Sequence, residues 1–267
     1  MQTPIRWAGS KKALLPVLRK YWNTDYKRYV EPFCGSACLF FDIEPRRALL
    51  SDINRELIGA YKIIKSQPEK VIRRLRRITP TKVNYYKLRA QNPDELSEVE
   101  LGARFLFLNK QSFNGIYRTN LSGRFNVPYA EPKHPIAFDY DAIRTLSHVL
   151  RNTTLLAIDF ENALARTKAG DFVYLDPPYA IANRRMFREY QPESFSTVDL
   201  SRLSLALRDL DEKGVNFVIS YADSSEGRAL ASEWNWRRVR TRRNVAGFAS
   251  DRKTAYEVLA SNLELAQ

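Results

Sequence analysis

Five short β-rich runs, at residues 28–33, 48–51, 154–159, 171–175 and 215–220, constrain this chain more than any other feature. Helical or polar sequence separates them, and that alternation predicts an open, doubly wound α/β sheet of the Rossmann-like kind. Residues 34–37 and the apolar Leu39, Phe40 and Phe41 follow the first run, so the chain opens as strand, tight turn and helix. After the second run, Leu57, Ile58, Tyr61 and Ile64 keep helical spacing and complete a βαβ-like unit.

The character changes from residue 56 to 150, where helical patterns dominate. Val71, Leu75 and Ile78 share one face of a segment whose other positions carry Arg73, Arg74, Arg76 and Arg77, and a further helix is predicted over 99–110. Turn formers then alternate with aromatics over 113–128, the pattern of a hairpin or an ordered loop. We therefore expect an α/β domain assembled from 1–55 and 151–267 and interrupted by a helical insert at 56–150, with a hairpin near 112–128. The polar stretch 179–192, with Arg184, Arg185 and Arg188, reads as a mobile loop.

Charge narrows the function. Among 267 residues, 43 Lys plus Arg face 30 Asp plus Glu, a net charge of +13 that calls for a polyanionic partner. With 44% hydrophobic and 12% aromatic residues the chain is globular rather than disordered or fibrous. Seven basic residues against the single acid Glu69 lie over 62–77, and Arg237, Arg238, Arg240, Arg242 and Arg243 form a second cluster; each reads as phosphate contacts or as a solvated face. No window approaches the roughly 18 apolar residues of a membrane span. The first seven residues carry no basic start or apolar stretch, so a cytoplasmic protein, held on the nucleoid by DNA, is expected. Cys34 and Cys38, with His134 and His148 elsewhere, make no convincing metal set, and both cysteines read as small, buried, reduced residues beside a turn.

The sharpest chemical signal is Asp176-Pro177-Pro178-Tyr179 at the carboxyl end of the run 171–175. Open α/β sheets bind ligands at that edge. Two prolines stiffen the turn and remove two N–H donors, leaving a carboxylate, carbonyls and an aromatic ring for one pocket. An exocyclic amino group on a planar base fits those acceptors: Asp176 and the Pro177 carbonyl take its protons while Tyr179 stacks on the ring. The plain alternative is a sequence that merely ends a strand. Upstream, residues 31–37 form a first strand-to-helix turn of small residues, and Asp52 ends the second strand, where it is either an acceptor for ribose hydroxyls or a helix cap.

In this order, these pieces resemble the D12 class of DNA adenine N6-methyltransferases, the family of the bacterial Dam enzymes, over nearly the whole chain. Arg6-Trp7-Ala8-Gly9-Ser10-Lys11 is similar to the family's N-terminal motif, Glu31-Pro32-Phe33-Cys34-Gly35-Ser36-Ala37 to its cofactor turn and Asp52-Ile53-Asn54 to its ribose motif. Asp159-Phe160 is similar to its adenine-end motif and residues 176–179 to its catalytic tetrapeptide. Residues 114–128 resemble its DNA-reading hairpin, through Asn114-Gly115, Arg118, Asn120, Gly123 and Phe125-Asn126-Val127-Pro128.

The resemblance implies S-adenosylmethionine as methyl donor and double-stranded DNA as partner. It implies that Trp7, Ala8, Gly9 and Lys11 line the methionine end of the cofactor, with Glu31, Pro32, Phe33, Gly35 and Ser36 as its turn. Asp52 then holds its ribose, and Asp159 with Phe160 its adenine. Asp176, Pro177, Pro178 and Tyr179 hold the flipped target base, Asp176 also facing the cofactor. Arg6, Lys110, Phe113, Asn114, Gly115, Ile116, Arg118, Asn120, Arg124, Asn126 and Pro128 contact DNA, Phe113 as a wedge or else as a core aromatic under the loop, and Arg118 as a fork on a guanine edge. Ser36 and Ala37 stand where the family often has glycine, which tightens the turn. A GAT-containing site, in full GATC, is expected, as is a monomer, without metal or membrane, paired with a restriction endonuclease where the gene belongs to such a system. The same constellation serves cytosine N4 or RNA as acceptor, and the fold without activity would be a DNA-binding protein.

Overall fold

A computed structural model of the protein describes residues 5–132, 136–179, 195–242 and 254–264. The stretch read as a mobile loop lies outside the described residues beyond Tyr179, as do Arg243 and His134. Seven strands form one sheet: β1 Arg28–Glu31, β2 Ala48–Ser51, β3 Thr153–Leu156, β4 Asp171–Leu175, β5 Asn216–Ala222, β6 Asn235–Arg242 and β7 Thr254–Ser261, in the order β3-β2-β1-β4-β5-β7-β6. The first five are mutually parallel, and β7 runs antiparallel to both β5 and β6. This is the Rossmann-like methyltransferase sheet that the resemblance implies.

The helices are α1 Leu15–Leu18, α2 Phe40–Ile43, α3 Arg55–Ser66, α4 Pro68–Arg76, α5 Lys82–Ala90, α6 Glu98–Gln111, α7 Tyr140–Val149, α8 Phe160–Leu164, α9 Thr197–Glu212 and α10 Ser225–Ala231. Strand alternation assigns the two faces of the sheet. Tyr29, Leu50, Phe172 and Tyr174 point into one apolar cluster, and Val30, Leu49, Val173 and Leu175 into the other. The second cluster is closed by α8, α9 and α10 through Phe160, Leu203, Leu207 and Leu230. The first is closed by the helices between β2 and β3, whose Tyr61, Ile64, Val71, Tyr85, Phe107 and Leu146 share one continuous core with the sheet.

Local chemistry fixes the helix ends. Ser97 and Glu100 form a reciprocal capping box that starts α6, and Ser196 with Asp199 does the same for α9. At the other end of α5, the buried guanidinium of Arg104 donates to the carbonyls of Leu88 at 3.0 Å and Arg89 at 3.3 Å. The Leu88 carbonyl also accepts from Gln91 N–H at 3.2 Å, and the added guanidinium donors tie the end of α5 to α6.

Residues 112–129 fold back on themselves as a hairpin-like loop without regular strands. Isolated antiparallel bridges pair Ser112 with Tyr129 and Thr119 with Phe125, and Asn114 adopts a left-handed φ of 54° at the bend beside Phe113. The arginines at 237, 238 and 240, read as a basic cluster, lie on β6 at the edge of the sheet. An arginine-rich run carries little strand signal of its own; pairing with β7 makes it one. Arg238 is bound to Asp223 at 2.6 Å and stacks 3.6 Å from the Tyr256 ring centroid.

Gly102 lets α6 approach α3. A Cβ there would lie 2.2 Å from Ile63 Cγ2, a branched methyl with no room to withdraw. Gly102→Ala should therefore cost about 1–3 kcal/mol through overpacking, more than the roughly 1 kcal/mol that alanine gains in a helix. Thermal unfolding checks this: the melting temperature falls, and a rise would show that backbone propensity outweighs the contact.

Candidate active site

The strand order reverses between β1 and β4, and the carboxyl ends of parallel strands on either side of such a reversal leave a crevice. Here that crevice is a cleft of about 940 Å³. Every residue assigned to the cofactor lines it: Trp7, Ala8, Gly9 and Lys11, then Glu31, Pro32, Phe33, Gly35 and Ser36, then Asp52, Asp159, Phe160 and Asp176. Pro177, Pro178 and Tyr179 complete the same wall.

The turn after β1 is shaped by what presses on it. Gly35 has a φ of +45°, and a Cβ on it would lie 2.5 Å from the Trp7 ring. Trp7 in turn stacks on Tyr117 from the hairpin, with ring centroids 5.6 Å apart and an interplanar angle of 23°. From below, Tyr61 donates its hydroxyl to the Gly35 carbonyl at 2.8 Å. Ala37 also has a left-handed φ, 49°, a conformation that costs a Cβ-bearing residue more than glycine. Ala37 adopts it here, in the same turn as Gly35.

Asp52 clips this turn to the end of β2. Its Oδ2 accepts from the Gly35 N–H at 3.1 Å and its Oδ1 from the Asn54 N–H at 3.0 Å. Burial raises its pKa, and those backbone donors pull it partly back. The cap of α3 is Asn54, whose side chain accepts from Leu57 N–H at 2.9 Å. Asp52 thus stands in the cleft rather than serving as that cap. Glu31 is fully buried and accepts from the Tyr29 hydroxyl at 2.9 Å; burial raises the pKa of its carboxyl, and the Tyr29 hydrogen bond pulls the other way.

Across the cleft, Phe33 and Phe160 stack at 5.2 Å. Asp159 caps α8 and accepts from Arg202 Nη2 at 2.8 Å, while the Arg202 guanidinium lies 4.8 Å from the Phe160 centroid. Aromatic faces beside an acceptor suit a purine, and the Asp52 carboxylate suits vicinal hydroxyls. The residues present fit an adenosyl cofactor.

The centre of the site is an ionic network at the end of β4. Lys11 Nζ lies 2.7 Å from Asp176 Oδ1 and 3.7 Å from Glu257 Oε2, and it donates to the Gly9 carbonyl at 3.1 Å and the Tyr179 hydroxyl at 3.3 Å. Tyr179 donates onward to Glu257 Oε1 at 3.3 Å, and Ser220 donates to Asp176 Oδ1 at 3.2 Å. Burial lowers the pKa of Lys11, but Asp176, Tyr179 and Glu257 together outweigh it, and the ammonium stays charged. Burial raises the pKa of Asp176, against the opposing pull of Lys11 and Ser220. The sequence reading did not include Glu257, Tyr117 or Arg202. Glu257 had only one signal, a lone acid in an otherwise uncharged run over 254–261.

The residues assigned to DNA divide. Arg118 lies in the cleft wall, its Nε donating to Asn126 Oδ1 at 2.9 Å. Phe113 is 44% exposed on the hairpin and is not a core aromatic. Gly115 packs on Arg6, whose backbone N–H and carbonyl pair with the Asn109 amide at 2.8 and 2.7 Å. Asn120 spends its carbonyl oxygen on the hairpin turn, accepting from Ser122 and Arg124 N–H groups, and Arg124 reaches Asn92 and Asp94. Lys110 and Ile116 are partly buried, and the Pro128 carbonyl accepts from Phe113 N–H at 3.0 Å. On α4, Arg74 lies 3.7 Å from Glu100 and Arg76 stacks 4.9 Å from the Tyr140 ring, while Arg73 and Arg77 are exposed. Among the described residues, no group of His, Cys, Asp and Glu could hold a metal ion, and no helix is long and apolar enough to cross a membrane.

The Asp176 carboxyl should titrate above the ordinary aspartate range, because burial opposes its ionisation. Lys11 favours the ionised form, so Lys11→Met should move the midpoint higher still. Carbon NMR of the Asp176 carboxyl across an acid titration checks both directions, and a downward movement in Lys11→Met would contradict the assigned ion pair.

The model of the D12 class N6 adenine-specific DNA methyltransferases matches residues 7–245. The chain is 34% identical to the type II methyltransferase M1.LlaDCHI of Lactococcus lactis subsp. cremoris, covering 96% of this chain and 94% of the relative. It is 32% identical to the type II methyltransferase M.MjaIII of Methanocaldococcus jannaschii, covering 97% and 98%, and 31% identical to the retron Ec67 DNA adenine methylase of Escherichia coli, covering 97% and 91%. With this match across the sheet, the cleft and the hairpin, the chain belongs to the D12 class of N6 adenine-specific DNA methyltransferases.

Proposed function

We propose that this DNA adenine methyltransferase moves a methyl group from S-adenosylmethionine to N6 of an adenine flipped out of duplex DNA, in a GATC or GAT-containing site. The observation that carries the reading is the placement of Asp176 and Tyr179 in one cleft with Asp52. When bound, S-adenosylmethionine would supply an electrophilic methyl group, and N6 would exchange one proton, released to water, for that methyl.

The chain's own residues make N6 able to attack. An aromatic amine has its lone pair drawn into the ring, and acceptors on its protons return electron density to nitrogen. Asp176 accepts a hydrogen bond from one N–H of N6 and the Pro177 carbonyl from the other, with the Tyr179 ring against the base. The T-shaped contact of Tyr179 with Tyr221, at 5.2 Å, holds that ring in place. Asp52 receives the ribose hydroxyls, Phe33, Asp159 and Phe160 the cofactor's adenine, and Trp7 to Lys11 with the Gly35–Ser36 turn its amino-acid end.

Residues 56–150 form the target-recognition unit in this reading, and 1–55 with 151–267 the catalytic one. The exposed Phe113 fills the space left by the departing base, offsetting part of an unstacking cost of a few kcal/mol. Arg118, oriented by Asn126 at the cleft wall, reads a guanine edge, and the α4 arginines neutralise phosphates. The enzyme acts as a monomer in the cytoplasm on nucleoid DNA, with a cognate restriction endonuclease where it belongs to such a pair.

Purified protein should methylate duplex oligonucleotides at adenine N6, with the product base identified by mass spectrometry; N4-methylcytosine, or a product only in RNA, would overturn the reading. Asp176→Ala should abolish transfer while DNA affinity stays close to normal, since no phosphate contact is lost. A near-normal turnover would remove Asp176 from the chemistry.

Specificity separates two kinds of arginine. Arg118→Ala should cost about 1–3 kcal/mol on the preferred site and far less on other DNA. Loss of a phosphate-binding arginine on α4 should weaken all sequences alike and reduce the salt slope by about one unit. Equal losses on cognate and altered duplexes for Arg118→Ala would make that residue a backbone clamp.

A further inference from the structure

We infer that Glu257 is a positioning residue for methyl transfer: it takes Lys11 from Asp176 when the adenine amino group arrives. The inference rests on the reading that Asp176 accepts a hydrogen bond from N6, and it concerns a residue that touches neither base nor cofactor in that reading.

Asp176 Oδ1 already receives Lys11 at 2.7 Å and Ser220 at 3.2 Å. A docking amine is a further donor at a carboxylate whose negative charge is being spent on an ammonium. Lys11 and Ser220 both sit on Oδ1 and draw charge from the whole carboxylate, so loosening Lys11 strengthens Asp176 as an acceptor for N6. An ammonium that leaves one carboxylate inside a protein needs another, because an unpaired buried charge costs several kcal/mol.

Glu257 is placed for that exchange. Its side chain is 5% exposed, its Oε2 lies 3.7 Å from Lys11 Nζ, and Oε1 is held by the Tyr179 hydroxyl at 3.3 Å. A displacement of about 1 Å turns the 3.7 Å approach into a charge-assisted hydrogen bond of ordinary length. Lys11 also touches the Gly9 carbonyl and the Tyr179 hydroxyl, so the movement pivots on contacts already made. The pairing of β7 with β5 sets this up: Ala222 is in register with Glu257, which brings the start of β7 to the sheet edge where β4 ends.

Two carboxylates sharing one lysine also suit the reaction's charge. Once Lys11 moves to Glu257, the negative charge of Asp176 faces the positive charge that develops on N6. A glutamine at 257 keeps the shape but offers no counter-charge, so Lys11 remains on Asp176 and competes with the substrate.

Single-turnover methylation of a duplex oligonucleotide by the wild type, Glu257→Gln, Lys11→Met and the double variant tests this as a cycle. Glu257→Gln should slow transfer at least about tenfold while the KM for DNA changes little. With Lys11 already replaced, adding Glu257→Gln should slow transfer by less than about twofold, since nothing is left to receive. Should Glu257→Gln not fold, Glu257→Asp, which keeps the charge on a shorter arm, replaces it in the same cycle with the same dependence on Lys11. An unchanged rate in the single variant, a loss confined to KM, or equal slowing with and without Lys11 would overturn the role of Glu257. A wild type that leaves adenine unmodified would instead overturn the proposed function.

Discussion

The ion pair between Lys11 and Asp176 is the contact on which the site's architecture depends. Asp176 follows a strand that is buried along its whole length, so its carboxylate emerges at the cleft wall with only 20% of the side chain exposed. Burial there pushes it towards its protonated form, so the resting site favours the ionised form through a counter-charge, one that yields in the proposed reaction when a substrate donor arrives. Lys11 comes from the opposite end of the sequence to supply the charge, and Glu257 on β7 and the Tyr179 hydroxyl hold Lys11 in turn. One ammonium thereby fixes the N-terminal segment, the end of β4 and the start of β7 relative to one another. Such a network is a weak source of stability, because desolvation offsets most of the attraction. Its value is geometric.

The rest of the cleft follows from the reversal of strand order between β1 and β4. Loops leaving those two strands diverge to opposite faces, and the N-terminal segment closes the gap over Gly35. The Trp7–Tyr117 stack then sets the hairpin at the mouth of the cleft, which places Arg118 in its wall while Phe113 stays exposed. A path of contact therefore runs from the segment assigned to DNA to the turn assigned to the cofactor, through an indole with glycine on one side and tyrosine on the other.

Much of this was legible before any coordinates. β1, β2, β4 and β5 declared themselves through short runs of branched and aromatic residues, and the stiff Asp176–Tyr179 turn marked the functional edge. The helix predicted over 99–110 runs from Glu98 to Gln111, its start fixed locally by Ser97 and Glu100. Tertiary placement was not legible. β6 is written in arginines and becomes a strand by pairing with β7. Glu257, Tyr117 and Arg202 belong to the site because distant elements bring them there, and no spacing in the chain records that. Asp52 does not cap α3, because Asn54 takes that place. The exposure of Phe113 removes its core alternative, and nothing in the spacing of the sequence foretold it.

The central claim is that Asp176 grips the amino group of an adenine drawn out of the helix. A crystal structure of the protein with a duplex oligonucleotide and a non-reactive cofactor analogue tests it most directly. The account predicts the target adenine turned into the cleft against the Tyr179 ring, with N6 within about 3.2 Å of an Asp176 carboxylate oxygen and of the Pro177 carbonyl. An adenine still stacked in the duplex, or an extruded base whose N6 faces away from Asp176, would contradict it.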